Sequence, residues 1–285
     1  MTQESLFGET IEHPTEKPVG AGPVKHRVLI TVKAAPNPSA TYGETVCVAG
    51  IRLADTGPKD WIRLYPINFR HLPEASARFK KYDIVTVEAR PAGEARLESW
   101  RPNMATLQVE THLPPWKKRR QLVDPMIDVS MCKIRSEAAA DPRARSLALV
   151  RPAEILGFRL EPHPGWSKDE QGKIDAYVDQ LELDVFEQAH DKTPLEAPRF
   201  RGYYKWRCGE PRCATHEQSI IDWEFVALQR HLWNRSDADA TASITTRFHQ
   251  QLCAPGNEVA FYVGNQAKRP QTFSILGVYY PKKDP

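Results

Sequence analysis

Cys208-Gly-Glu-Pro-Arg-Cys213-Ala-Thr-His216-Glu217 is the stretch on which the reading of this chain turns. It sets two thiols and an imidazole within nine residues, with a glycine and a proline that favour a tight loop. Zinc takes four Cys or His ligands in tetrahedral geometry, and short hooks of this kind supply them. Cys208, Cys213 and His216 are therefore the predicted metal ligands, and Cys132, His249, Cys253 and His231 are the candidates for the fourth. A site closed by cysteines holds shape, whereas a catalytic zinc keeps an open position, so the zinc is expected to be structural. The alternative is two small buried cysteines and a histidine at a helix start, with no metal.

Just downstream, Thr215-x-x-Gln218 reads as a capping box and predicts a helix. At about 100° per residue, Ile221, Phe225, Leu228 and Leu232 form its core stripe. Glu217 and Glu224 then lie along one edge of the stripe and Asp222 near the other, with Trp223 pointing away. Carboxylates at a core boundary are partly desolvated, which lifts their pKa toward the range useful for proton transfer. Glu217, Asp222 and Glu224 are thus candidate catalytic acids. Glu44, at a strand mouth beside Tyr42, is a fourth. Structural roles are open to the same residues: an acid in a first helical turn favours the dipole, Glu224 can pair with Arg207 or Arg230, and Glu44 can cap a turn.

Upstream the pattern is β. Val28–Lys33, Thr45–Leu53, Trp61–Pro66, Asp83–Ala89 and Thr106–Leu113 are rich in β-branched or aromatic residues and bounded by turn formers. Five short strands in so short a span predict a small barrel or a strongly curved sheet over residues 25–125. Residues 1–24, with few apolar side chains, read as a flexible arm. Residues 126–285 mix the two periods. Helices are expected at Met131–Ala140, from the Ser167…Glu170 capping box toward His190, and from Ser236 to Leu252. Strands are expected at Ser146–Val150, Ile155–Leu160, Phe200–Arg207, Glu258–Val263 and Thr272–Tyr280. The predicted fold class is α+β: a small β-barrel-like front packed with a mixed α/β rear that carries the zinc-knuckle-like loop.

Net charge is only +3, but its distribution is uneven. Residues 59–81 hold six basic and two acidic side chains, whereas residues 167–196 hold nine acidic and three basic. Trp116, Lys117, Lys118, Arg119 and Arg120 put four cations beside an aromatic, able to neutralise phosphates and stack a base, or to form a solvated loop. In Trp61-Ile-Arg-Leu-Tyr-Pro66, strand alternation puts Trp61, Arg63 and Tyr65 on one face, which suits either a base-stacking groove or an exposed ladder. Arg70 and His71 follow closely.

No glycine-rich phosphate loop and no G-x-S-x-G elbow occurs, so neither ATP or NAD use nor a serine hydrolase elbow is expected. No apolar run is long enough to span a bilayer, and the N-terminus lacks a secretory pattern, so a cytoplasmic protein with no membrane partner is expected. An odd number of dispersed cysteines fits a reducing compartment.

Val28–Ala34 leading to Tyr42-Gly-Glu-Thr-Val-Cys-Val-Ala-Gly50, then Trp61–Pro66, Phe79-Lys-Lys-Tyr-Asp83, Cys208–Glu224, Val263-Gly-Asn265 and Gly277-Val-Tyr-Tyr-Pro281, resemble a group of poorly characterised bacterial proteins. The resemblance covers nearly all of the chain beyond the arm. Such proteins sit among phage-defence genes, which implies activity on foreign or modified DNA and transfers no residue roles. Together with the cations, the aromatics (Trp61, Tyr65, Trp100, Trp116) and the acids, this predicts a hydrolase acting on DNA, foremost a glycosylase excising modified bases. A nuclease, a non-catalytic reader of modified nucleic acid or nucleotide, and a structural subunit docking through the acidic segment 167–190 are the alternatives.

Overall fold

Alternating inward and outward side chains build the front half. A computed structural model describes residues 22–39, 43–67, 79–183 and 194–283. Strands β1 (Val24–Lys33), β2 (Asn37–Ser39), β3 (Gly43–Ala54), β4 (Gly57–Ile67), β5 (Asp83–Pro91) and β6 (Ser99–His112) follow in order. β1 pairs with both β3 and β5, which closes a ring: β1–β3–β4–β6–β5–β1, with β4 and β6 parallel and the other pairs antiparallel. β2 is appended to β3. This Greek-key connectivity is that of the OB barrel. Val28 and Ile30 of β1, Val46 and Val48 of β3, Ile62 and Leu64 of β4 and Val85 and Val87 of β5 fill the barrel. Four of the five predicted front strands lie within observed ones, and the fifth, Thr106–Leu113, runs one residue past the end of β6. The predicted arm falls almost wholly outside the described residues, as do Arg70, His71 and Tyr42.

The rear half is a layered sheet. Helix α1 (Lys117–Val123) links it to the barrel. Then come β7 (Ile127–Asp128), α2 (Met131–Ala140), β8 (Leu147–Val150), β9 (Glu154–Pro162), α3 (Lys168–Leu183), β10 (Phe200–Arg207), β11 (His216–Ile220), α4 (Trp223–His231), α5 (Asp237–Thr245), β12 (Ala260–Gln266) and β13 (Arg269–Tyr279). The strands form one mixed sheet in the order β7-β8-β12-β13-β11-β10-β9. Period-two alternation sorts its two faces. Ala148, Val150, Phe261, Val263 and Ile275 pack under α2, α4 and α5, while Leu147, Leu149, Tyr262, Leu276 and Tyr279 pack against the outside of the barrel. Gly202 of β10 has no side chain because the Phe225 ring of α4 lies on it; a Cβ there would come within 2.8 Å of Phe225 Cζ. The Ser167 capping box forms: Glu170 Oε2 accepts from Ser167 N at 2.9 Å and Ser167 Oγ from Glu170 N at 3.3 Å.

One predicted element is wrong. The segment from Thr215 is not helical: His216–Ile220 is strand β11, and α4 begins only at Trp223, capped by Asp222. His216, Gln218 and Ile220 are buried while Glu217 is exposed, the period of a strand. Pairing with β10 on one side and β13 on the other outweighs a local capping signal.

At the barrel's far end lies a titratable group with a measurable consequence. His26 is buried against Trp100, ring centroids 4.3 Å apart, and its Nε2 has no partner. Burial, helped by Arg52 and Lys59, lowers its pKa from 6.5 to about 4. The folded state therefore resists a proton that the unfolded chain accepts. The associated stability is fully present above pH 6.5 and is lost as pH falls toward 4, roughly 2–3 kcal/mol in all. His26→Phe keeps the ring contact and removes the titration. In urea melts at pH 7 and pH 4.5, the variant should lose less stability on acidification than the parent. Equal losses would exclude His26 as a source of the acid sensitivity.

Candidate metal centre

The hairpin β10–β11 and the first turn of α2 converge on one point. Cys208 directly follows β10, His216 opens β11 opposite Trp206, and Cys213 lies in the loop between them. The loop is pinned by Cys213 N donating to Glu210 O (3.0 Å) and Gly209 N to Val129 O (2.8 Å). The approach at Gly209 is tight: a Cβ there would stand 3.1 Å from the Val129 carbonyl oxygen. Cys132 comes from the start of α2, whose N-cap Ser130 accepts from Lys133 N at 3.0 Å. His216 Nε2 lies 3.3 Å from Cys213 Sγ, 3.4 Å from Cys208 Sγ and 3.6 Å from Cys132 Sγ, and the Cys208 and Cys132 sulfurs are 3.7 Å apart. All four donor atoms fall within 4.8 Å of one another, a group able to hold a metal ion.

The electrostatics suit a cation. Burial and the neighbouring thiols Cys208 and Cys213 push the Cys132 thiol up to about 12. Cys208 sits below its usual value; burial opposes its ionisation, but backbone N–H groups at Glu210 and Cys132 outweigh that. Burial, then Arg135, lowers the His216 pKa, which leaves the ring neutral with a lone pair to give. Trp206 packs against that ring, centroids 4.9 Å apart. Of the proposed fourth ligands the structure brings in Cys132. Cys253 Sγ instead faces Phe248 O (3.6 Å), the His249 ring lies 6.5 Å from that of Phe158, and His231 is at the exposed end of α4.

Residues 127–285, which include all four residues of the cluster, match the family model of a domain of unknown function, DUF8757. The chain belongs to the DUF8757 family. Residues 24–125 match a second domain of unknown function, DUF8758, so the boundary between the two follows the step from barrel and α1 to sheet. No curated protein matches the chain.

The four candidate acids do not form one site. Glu217 is exposed on β11 of the DUF8757 part and pairs with Arg159 at 2.5 Å. Glu44 lies in β3 opposite Pro38, on the barrel. Asp222 and Glu224 stay together at the start of α4, around a residue the sequence reading passed over. Lys81 Nζ lies 2.7 and 2.9 Å from the two Asp222 oxygens and 3.5 Å from Glu224 Oε1. Asp222 is 1% exposed, whereas the Glu224 side chain is half exposed. Burial raises the Asp222 carboxyl to about 6, with Lys81 pulling the other way. The next residue, Tyr82, adopts φ 67°, a conformation that costs a bulky residue about 1–3 kcal/mol. Hydrogen bonds to Ile30 and Leu113 and the Arg119 guanidinium 3.9 Å above its ring hold it there. A lysine pair before a strand carries no sign that one member will be buried.

The expected Trp61/Arg63/Tyr65 groove is covered. Trp61 packs edge-on to Tyr262 of the DUF8757 sheet, and Arg63 is 5% exposed. Arg63 donates to Ser146 Oγ (2.9 Å), Ser146 O (3.2 Å) and Cys47 Sγ (3.1 Å), while Ser146 donates to the buried Glu98. Tyr65 alone of the three remains exposed, with its hydroxyl 3.2 Å from Thr45 Oγ1. The outer face of an OB-type barrel, where ligands would be sought, is used here as the seat of the sheet. The basic run is divided as well. Arg119 is buried and donates to Leu113 O at 2.8 Å; Arg120 pairs with Asp124 and Glu258 at 3.1 and 3.0 Å; Lys117 and Lys118 remain exposed beside a half-buried Trp116.

Proposed function

We propose that this protein binds DNA, as a reader of foreign or modified strands in antiviral defence, on a scaffold whose rear is fixed by one structural zinc ion. The observation that carries the binding reading is the exposed Lys117–Lys118 pair beside Trp116, at the start of the helix that links barrel and sheet. Zinc is supported by donor type and spacing. Tetrahedral Zn–S and Zn–N bonds place two sulfurs about 3.8 Å apart and a sulfur and nitrogen about 3.6 Å apart. The Cys208 and Cys132 sulfurs are 3.7 Å apart and the three sulfur–nitrogen distances are 3.3–3.6 Å, with all four donor atoms within 4.8 Å of one another. Three thiolates and an imidazole complete the coordination shell, so the ion would organise the hairpin and α2 rather than activate water.

Fluorescence anisotropy with labelled DNA tests the reading. Binding should be clear at about 50 mM salt and fall steeply by about 200 mM, as counterion release requires. Absence of binding at the lower salt would remove the proposal.

Hydrolysis of modified DNA is the second reading, favoured by one observation: the half-exposed Glu224 carboxylate faces Lys81, which the buried Asp222 grips from behind. Glu224 would then be the proton-transfer group, with Lys81 and Asp222 positioning it. Incubation with DNA carrying modified bases should give alkali-labile sites for a glycosylase or direct breaks for a nuclease, in either case abolished by Glu224→Gln. Intact DNA with every substrate leaves only the reader.

A further inference from the structure

Two lysine pairs far apart in sequence meet on one surface. Lys117 and Lys118 open α1, and Lys282 and Lys283 follow β13; all four are exposed. Arg120 Nη1 donates to Lys282 O at 3.2 Å and so ties the two segments together. The second segment is itself fixed, by an isolated bridge between Asn257 and Lys282 and by Lys283 N donating to Gly256 O at 3.0 Å. Between the pairs stand Trp116 and Tyr280, both half-buried, their rings edge to face with centroids 4.9 Å apart. Arg247 extends the positive edge, its Nη2 donating to Tyr280 OH at 3.3 Å.

We infer that this surface is a path for single-stranded nucleic acid, with phosphates held by Lys117 and Lys118 on one bank and Lys282 and Lys283 on the other, and bases lying on Trp116 and Tyr280. The inference rests on the DNA-binding reading above and adds the second bank and the strandedness. The local acids do not neutralise these lysines: Asp124 and Glu258 are engaged by Arg120. Among the described residues none of the four lysines has an ion-pair partner, so like charges converge with no described acid paired to them. A polyanion balances them. A duplex keeps its bases stacked inside, out of reach of these rings, whereas a single strand offers bases to the aromatics and phosphates to the lysines together. The seven-residue α1, which buries Arg119 and Val123 against the fold, is also a poor major-groove reader. Among the described residues none of the large exposed apolar side chains falls in the two segments 116–120 and 280–283, as a lipid-binding face would require.

The test uses the full chain, a labelled oligothymidylate and a mixed-sequence strand, a duplex of equal length, and vesicles of phosphatidylserine and phosphatidylcholine. Lys117→Ala/Lys118→Ala and Lys282→Ala/Lys283→Ala should each weaken single-strand binding several-fold. The quadruple variant should flatten the slope of log affinity against log salt by about 3, at roughly 0.7 per phosphate contact. Because the substituted side chains are exposed, the variants should melt like the parent. If the parent binds single strands and the quadruple variant keeps the parent's affinity and slope, the path is wrong: DNA binding stands, but not through these lysines. If the parent binds no nucleic acid at low salt, both fall together. Tighter binding to the duplex, or lysine-dependent binding to the vesicles without binding to single strands, overturns the choice of ligand.

Discussion

Replacing Cys208 with serine should abolish binding of the proposed zinc ion and collapse the rear of the molecule. Cys208 is the most buried of the three thiols, and it touches both His216 Nε2 and Cys132 Sγ. A serine oxygen is a poor zinc ligand, and with one thiolate gone the remaining donors no longer close a tetrahedron. The loop from Cys208 to Thr215 has few other anchors than the Val129 and Glu210 contacts, and the packing of Trp206 against His216 depends on that ring's position. Metal loss belongs to the small set of single changes that exceed 4–5 kcal/mol. We expect about one zinc per chain in the parent and almost none in the variant by elemental analysis, with a loss of about 5 kcal/mol or more in urea unfolding. Strong chelators should reproduce the effect on the parent and leave the variant unchanged. A parent that is free of metal yet melts like the variant would reduce the cluster to packed thiols.

Much of this fold was legible because its signals are local. The front strands alternate within a few residues, and the helix at Met131–Ala140 and the strand at Phe200–Arg207 match their predicted bounds. What was not legible is set by pairing across the chain. Cys132 and His216 are 84 residues apart, so spacing alone left the fourth ligand among four candidates. The Thr215 capping box misled because β11 gains ladder partners on both sides, which a nine-residue window does not contain. The basic run shows the same limit on a smaller scale. Four consecutive cations look equivalent in sequence, but once Lys117–Val123 is a helix, Arg119 shares a face with Val123 and both turn inward. Lys117 and Lys118 then face solvent, and their counterpart at Lys282–Lys283 becomes visible only when α1 is seen against the C-terminal segment. The groove at Trp61 and Arg63 failed for the opposite reason: the strand and its alternation were right, but a barrel face that looks like a ligand surface is covered by the second half of the same chain.

Replacing Lys81 with methionine should uncouple those two halves. Lys81 precedes the first residues of β5 in the DUF8758-matched barrel, and Asp222 caps α4 in the DUF8757 part, so their ion pair bridges the two. Burial opposes the Lys81 charge, but Asp222 and then Glu224 outweigh it and hold its pKa above the ordinary lysine value. Methionine fills similar space and leaves Asp222 buried without a counter-charge. Removing one member of a buried pair costs about 3–5 kcal/mol. The pH dependence distinguishes this from a packing defect. Without Lys81 the folded-state Asp222 pKa rises beyond about 6, against 3.8 in the unfolded chain, so the folded variant binds the extra proton between those values. Its stability therefore recovers as pH falls from about 7 toward 4, and its deficit against the parent is largest at neutral pH. Asp222→Asn in the same background keeps a capping oxygen for Glu224 N and removes the buried charge, so the double variant should be more stable than Lys81→Met alone at pH 7.5. Urea unfolding followed by tryptophan fluorescence should show the variant's deficit shrinking with acid. A deficit below 1 kcal/mol at pH 7.5, or one that does not change with pH, would mean that apolar packing at Trp61 and Tyr262 holds the halves together without help from the pair.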